Sequence, residues 1–141
     1  MARLIAILDA LVGTDSWLRN ELSTVPAGVE KTDVRWHVVM NYVCAAGFVA
    51  HLNFIALFVL SGVYDLAFLN IVSSSIFALC YFLNRRAWVG SVIALAAAEV
   101  ALHALIATVV IGWDTCFHLY CILIAPCCAY LPRRMFQYAL L

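Results

Sequence analysis

Long runs without a charged side chain constrain this chain more than any other feature of its sequence. Between Trp36 and Leu60 there is no Asp, Glu, Lys or Arg, and further apolar runs follow. A helix needs about 20 consecutive apolar residues to cross the roughly 30 Å of hydrocarbon in a bilayer. The pattern therefore predicts membrane spans over residues 36–61, 65–83, 88–111 and 116–131, with the start of a fifth at residue 135.

The overall composition supports the same class of protein. Of the 141 residues, 67% are hydrophobic and 11% are charged, and the mean hydropathy is +1.02. A soluble domain is nearer half apolar and about a quarter charged, so this chain has too few polar side chains to cover a soluble core. We therefore expect an all-α, polytopic bundle of helices in a lipid bilayer. The formal net charge is +0, which gives no indication of nucleic-acid binding.

The positions of the cationic residues predict how the spans are oriented. Lys31 and Arg35 precede the first span, and pairs of arginines follow the second and fourth spans at residues 85–86 and 133–134. The two intervening loops, SGVYD and GWDTCFH, contain neither Lys nor Arg. Since Lys and Arg concentrate in cytoplasmic loops, the sequence predicts a cytoplasmic N-terminus and a multi-pass protein of the inner (plasma) membrane.

Residues 1–35 differ from the rest because they carry more than half of all the charges. Two short amphipathic helices are predicted in this cytoplasmic segment. The apolar residues of the first are Leu4, Ile5, Leu8, Leu11 and Val12, and those of the second are Trp17, Leu18 and Leu22, before Pro26. Such helices are typical of the membrane surface, but covering part of the bundle or a partner is an open alternative.

Ionisable side chains inside the predicted spans are the first candidates for a function. Glu99 lies near the middle of the third span, and His103 lies one turn later on the same face. A carboxylate at this depth costs several kcal/mol, so we expect it to be protonated, paired or directed into a cavity. His51 adds an imidazole in the first span. Binding a polar ligand, sensing protons and holding a metal or haem are open roles, but a Glu–His pair alone is weak evidence for a metal, and no metal or cofactor is predicted.

The outer loop between the third and fourth spans combines structural and functional candidates. Gly112 permits a tight chain reversal, Trp113 suits the lipid headgroup layer, and Asp114 is placed to cap the next helix. Asp114 and His118 are also candidates for the outer lip of a pocket that contains the ionisable pair.

Other polar and reactive groups have simpler explanations. Asn53 and the serines at 73–75 are expected to form hydrogen bonds between helices. The six cysteines fit no zinc-binding spacing, and a disulfide framework is not expected. The sequence contains no P-loop, GxSxG elbow, HExxH motif or dinucleotide fingerprint, so no enzyme activity is expected of this chain.

The third span and the loop after it resemble a known family. Glu99, His103, the turn at residues 112–114 and the FHLY stretch at residues 117–120 occur in an order similar to that of the six-span N-terminal membrane domain of bacterial nucleotide cyclases. That domain precedes class III adenylate or guanylate cyclase domains and GGDEF diguanylate cyclase domains. The resemblance covers the chain from about residue 34 and implies a receptor-like domain that dimerises and regulates a cytoplasmic output domain. Spans five and six and the catalytic domain are expected to lie outside this chain.

The predicted site for a small or lipophilic ligand follows from this resemblance and from the cost of burying ionisable groups. Its residues are His51, Glu99, His103, Trp113, Asp114, His118 and Tyr120. Two other classes of function stay open. One is a transport or redox subunit in which Glu99, His103 and His51 relay protons or bind haem, and the other is a passive anchor without a ligand.

Overall fold

Three long apolar helices make up most of the structure, a computed structural model that describes residues 16–127 and residue 130. Helix α1 spans Val34–Leu60, α2 spans Tyr64–Arg85 and α3 spans Val89–Ile111. At a rise of about 1.5 Å per residue, their 27, 22 and 23 residues give lengths of roughly 33 to 41 Å. All three are long and apolar enough to cross a membrane. The first three predicted spans are therefore confirmed as helices of that kind, and the described part of the chain is a helical bundle.

The buried residues of the helices recur at spacings of four and three. On α2 the stripe consists of Leu66, Asn70, Ser73, Phe77, Cys80 and Asn84. On α1 the buried residues His37, Cys44, His51 and Phe58 stand seven residues apart. This spacing is typical of left-handed helix packing, which is also common in membrane bundles. The buried stripes thus contain polar side chains, whereas large apolar side chains such as Leu60, Phe82 and Val109 are exposed on the outside.

The fourth apolar run does not continue as a regular α-helix. A short 3₁₀ turn, Trp113–Thr115, is followed by a 3₁₀-helix over Phe117–Ile124, and residues 125–127 are helical. This segment packs against α3. A 3₁₀-helix of eight residues is unusually long. The predicted fourth span over 116–131 therefore stays a prediction, and the fifth run lies outside the described residues.

The second predicted amphipathic helix is present, and it covers one end of the bundle. Residues 16–23 are helical and end before Pro26, as expected, whereas the first predicted helix lies outside the described residues. Leu22 is buried, while Trp17 and Leu18 are exposed. Arg85 at the end of α2 donates a hydrogen bond to the backbone oxygen of Thr24 at 2.7 Å. Of the open alternatives for this segment, covering the bundle is therefore observed for residues 21–24.

A buried polar network lies beneath this cover. The amide nitrogen of Asn84 donates to the backbone oxygen of His37 and to Oδ1 of Asn41, both at 2.8 Å. The amide nitrogen of Asn41 donates in turn to the backbone oxygen of Leu22 at 2.8 Å. These hydrogen bonds connect α2 to α1 and α1 to the N-terminal segment, so the network fixes the three relative to one another.

The cysteines of the described residues form no disulfide. Cys44, Cys80, Cys116, Cys121 and Cys127 are all free thiols, and the first two are buried. Cys44 and Cys80 act as small apolar residues in the core between α1 and α2.

Candidate functional site

Three buried ionisable side chains meet between α1 and α3. Oε1 of Glu99 lies 3.6 Å from Nε2 of His51 and 3.5 Å from Nδ1 of His103. Fewer than a tenth of the surface of each residue is exposed. Glu99 and His103 are neighbours because they are four residues apart on α3, whereas His51 reaches them only through the packing of α1.

The orientation of His51 is fixed by its own helix and by a glycine. Nδ1 of His51 lies 2.6 Å from the backbone oxygen of Gly47. A carbonyl oxygen only accepts hydrogen bonds, so Nδ1 carries the hydrogen, and Nε2 is the ring nitrogen turned towards Glu99. Gly47 has no side chain, which allows the ring of Phe77 to pack close to α1 and 5.1 Å from the ring of His51, centroid to centroid.

Ser73 belongs to this site, although the sequence does not single it out. Its Oγ lies 3.0 Å from Nδ1 of His103, which joins α2 to α3. The expectation that the serines and Asn53 bond between helices is wrong for Ser74, Ser75 and Asn53. Each of those three donates to the backbone oxygen four residues earlier on its own helix. The signal that identifies Ser73 is its place in the four–three buried stripe of α2, facing the same direction as Asn70 and Phe77.

The buried carboxylate of Glu99 lacks hydrogen-bond donors in the part of the chain that the structure describes. Both of its oxygens are fully buried, and neither has a hydrogen-bond partner among the described residues. Burying a charge without a partner is expensive in protein and more so in hydrocarbon. The site is therefore suited to receive a proton, a cation or a hydrogen-bond donor from outside the three side chains.

A cavity of about 570 Å³ opens beside these residues. Glu99, His51 and His103 form its polar end, and side chains of α1, α3 and the 117–127 segment form its largely apolar walls. Tyr120 and Phe117 line the cavity from the 3₁₀-helix. Its size falls within the range of about 300–1,000 Å³ that is typical of small-molecule sites.

The structure separates the outer-loop candidates from this cavity. Trp113, Asp114 and His118 are not among its lining residues, whereas Tyr120 is. Trp113 is exposed and packs against His118, with the ring centroids 4.7 Å apart. The prediction that Asp114 caps the next helix is wrong, because the 3₁₀-helix begins after Cys116 without a side-chain cap. The chain reversal at Gly112 is confirmed by its φ of +89°, a conformation that side chains other than glycine rarely adopt.

No protein-family model matches the chain, and no curated protein or solved structure is significantly similar to it. The geometry of the cavity and the chemistry of its residues are therefore the basis for inferring a function.

Proposed function

We propose that this chain is the receptor-like membrane domain of a bacterial signalling protein, and that a small lipophilic ligand binds in the cavity. The observation that supports this function is a cavity with apolar walls and a polar end made of three buried ionisable side chains, His51, Glu99 and His103. Few polar groups that fix orientation inside a mostly apolar pocket are typical of small-molecule sites. A structural anchor would have no need of such costly groups.

The proposed mechanism is a shift in helix packing. The cavity is lined by α1, α3 and the 117–127 segment, so a ligand inside it contacts all three. A ligand that binds one arrangement of these helices more tightly than another shifts the population towards it. In a homodimer, that shift is transmitted to an output domain. We propose a nucleotide cyclase as the output, in line with the resemblance of the polar residues to cyclase membrane domains.

The proposed membrane arrangement has a cytoplasmic N-terminus, four or more spans and a location in the bacterial inner membrane. Its support is that the N-terminal segment and the turn after α2 meet at one end of the bundle, through the contact of Arg85 with Thr24. Lys31 and Arg35 lie at or just before the start of α1, and Arg86 follows the end of α2, so all three belong to this end of the bundle. The turn at Trp113 follows α3, which runs to the opposite end.

This arrangement predicts which cysteine an impermeant maleimide reaches on intact cells. Cys116 and Cys121 are both exposed after α3, so the Cys121→Ser chain should be labelled at Cys116 and the chain with both Cys116→Ser and Cys121→Ser should not. A cysteine introduced at the exposed Thr32 in that double-serine background should be labelled only after lysis. The reverse pattern would contradict the proposed orientation.

The function itself is tested with a chimaera in which the chain is fused to a class III adenylate cyclase catalytic domain. A total lipid extract of bacteria is the probe, and cyclic AMP is measured in membranes from cells that lack their own cyclase. We expect the extract to change the activity at least about fivefold, the lower range of allosteric coupling. Ala97→Phe, which fills the cavity, should abolish the response.

Ala98→Phe is the matched control, because Ala98 is exposed on α3 and does not line the cavity. It should respond as the wild type does. A passive anchor would give constant output in all three chimaeras. A proton-relay subunit would also give constant output, but proteoliposomes that contain the unfused chain would then conduct protons, and Glu99→Gln would stop the current.

A further inference from the structure

The cluster at the polar end of the cavity has the composition of a metal site. We propose that His51, Glu99 and His103 bind a divalent transition-metal ion, Zn²⁺ or Fe²⁺. Each of the three residues offers one ligand atom, and these atoms lie within 4.8 Å of one another. The Glu–His pair on α3 is weak evidence alone, but the packing of α1 supplies the third ligand.

The distances between the ligand atoms agree with a shared metal ion. Ligands that are about 2.0–2.1 Å from a tetrahedral Zn²⁺ are about 3.3–3.4 Å from one another. The two separations that involve Oε1 of Glu99 are 3.5 Å and 3.6 Å. A proton shared directly between Glu99 and His51 would bring the two atoms to about 3.2 Å or less, so the observed spacing is closer to that of metal ligands.

The hydrogen bond behind His51 also has the form found around metals. A histidine that binds a metal with one ring nitrogen usually donates the hydrogen of the other nitrogen to a carbonyl or carboxylate oxygen. Nδ1 of His51 does so to Gly47, which leaves the lone pair of Nε2 turned towards Glu99. Oγ of Ser73, on α2, lies 3.0 Å from Nδ1 of His103, the same nitrogen that faces Glu99, so binding of a metal at Nδ1 requires the hydroxyl of Ser73 to turn away.

A cation removes the electrostatic conflict that the three side chains create. The lone pair of Nε2 on His51 and two unpartnered carboxylate oxygens of Glu99 face one another in a buried site. A divalent ion accepts electron pairs from all of them. Two imidazoles and one carboxylate suit Zn²⁺ and Fe²⁺, and both ions keep open positions beside three protein ligands. Those positions would face the cavity.

This inference deepens the proposed function, on which it rests only for the role of the metal in signalling. In that role, an open coordination position on the metal would bind an oxygen or nitrogen donor in the head of a lipophilic ligand. Binding of the metal itself is measured without any ligand or output domain.

The test is elemental analysis of the full chain, purified in detergent with an affinity tag that contains no histidine. We expect about one Zn²⁺ or Fe²⁺ per chain. For the metal-free protein titrated with Zn²⁺, Glu99→Gln and His103→Asn should each weaken binding by more than about 100-fold, because each removes a ligand, and even partners of metal ligands contribute about 10–100-fold. Zn²⁺ should also raise the melting temperature of the wild type.

Asp65→Asn and His118→Asn are the matched controls, because Asp65 is exposed and neither residue lines the cavity. Both should bind Zn²⁺ as the wild type does. A wild type that retains no metal, and whose melting temperature does not respond to Zn²⁺ or Fe²⁺, overturns the proposal even if the variants fail to fold. Equal losses in ligand and control variants overturn it as well. Metal binding with a constant cyclase output would instead remove the proposed function and leave the metal site.

Discussion

Replacing Asn84 with Asp is expected to lower the free energy of unfolding by about 3–5 kcal/mol, the usual cost of a buried charge without a partner. The side chain of Asn84 is fully buried, and its amide nitrogen donates hydrogen bonds to two oxygens, on His37 and Asn41. An ionised Asp has no donor, so its oxygens would face those two acceptors. Unfolding in mixed detergent micelles measures the loss.

The control is Asn20→Asp, since Asn20 is exposed in the N-terminal helical segment at the same end of the bundle. It introduces the same charge and should change stability by less than about 0.5 kcal/mol. Asn84→Ala removes the donors without adding a charge, so it should lie between the two, at about 1–3 kcal/mol. Equal stabilities for Asn84→Asp and Asn20→Asp would show that the network does not hold this end of the bundle together.

The same network predicts which part of the bundle unfolds locally first in Asn84→Asp. Asn41 accepts from Asn84 and donates to the backbone of Leu22. When the first bond is lost, Asn41 is no longer held in the orientation that ties the N-terminal segment to α1. Amide hydrogen exchange of residues 21–24 should therefore rise in Asn84→Asp before that of α3 does.

The three long helices were predictable because insertion depends mainly on length and composition. The predicted spans 36–61, 65–83 and 88–111 agree with α1, α2 and α3 to within two residues at every end. The fourth run is as apolar as the others, but composition does not distinguish hydrogen bonds between residues three apart from those between residues four apart. Its 3₁₀ form over Phe117–Ile124 was therefore not predictable in this way.

The site was predictable where its residues share a helix, and less so where helices meet. Glu99 and His103 follow from the geometry of a single helix. The approach of His51 from α1 and of Ser73 from α2 depends on how three helices pack, which hydropathy does not reveal. The four–three spacing of buried residues carries part of that information, because Ser73 and His51 both lie on such stripes.

The packing around His51 depends on Gly47, and substituting this glycine is expected to lower the stability of the bundle. Gly47→Ala is expected to destabilise the bundle by about 1–3 kcal/mol, as overpacked cores generally do. A Cβ at this position would lie 2.6 Å from Cε1 of Phe77. Phe77 is buried, and its ring also contacts His51. The ring therefore has to move from its packed position, and thermal unfolding in detergent measures the cost.

Gly90→Ala is the matched control, because a Cβ on Gly90 in α3 meets nothing within 4 Å. Alanine favours a helix over glycine by roughly 0.5–1 kcal/mol, so the same substitution should raise stability slightly there and lower it at Gly47. Phe77→Leu combined with Gly47→Ala should recover part of the loss, since the double variant removes the ring that the new methyl group displaces. If both glycine variants were equally stable, the contact between α1 and α2 at His51 would be looser than described, and the orientation of that histidine towards Glu99 would lose its structural cause.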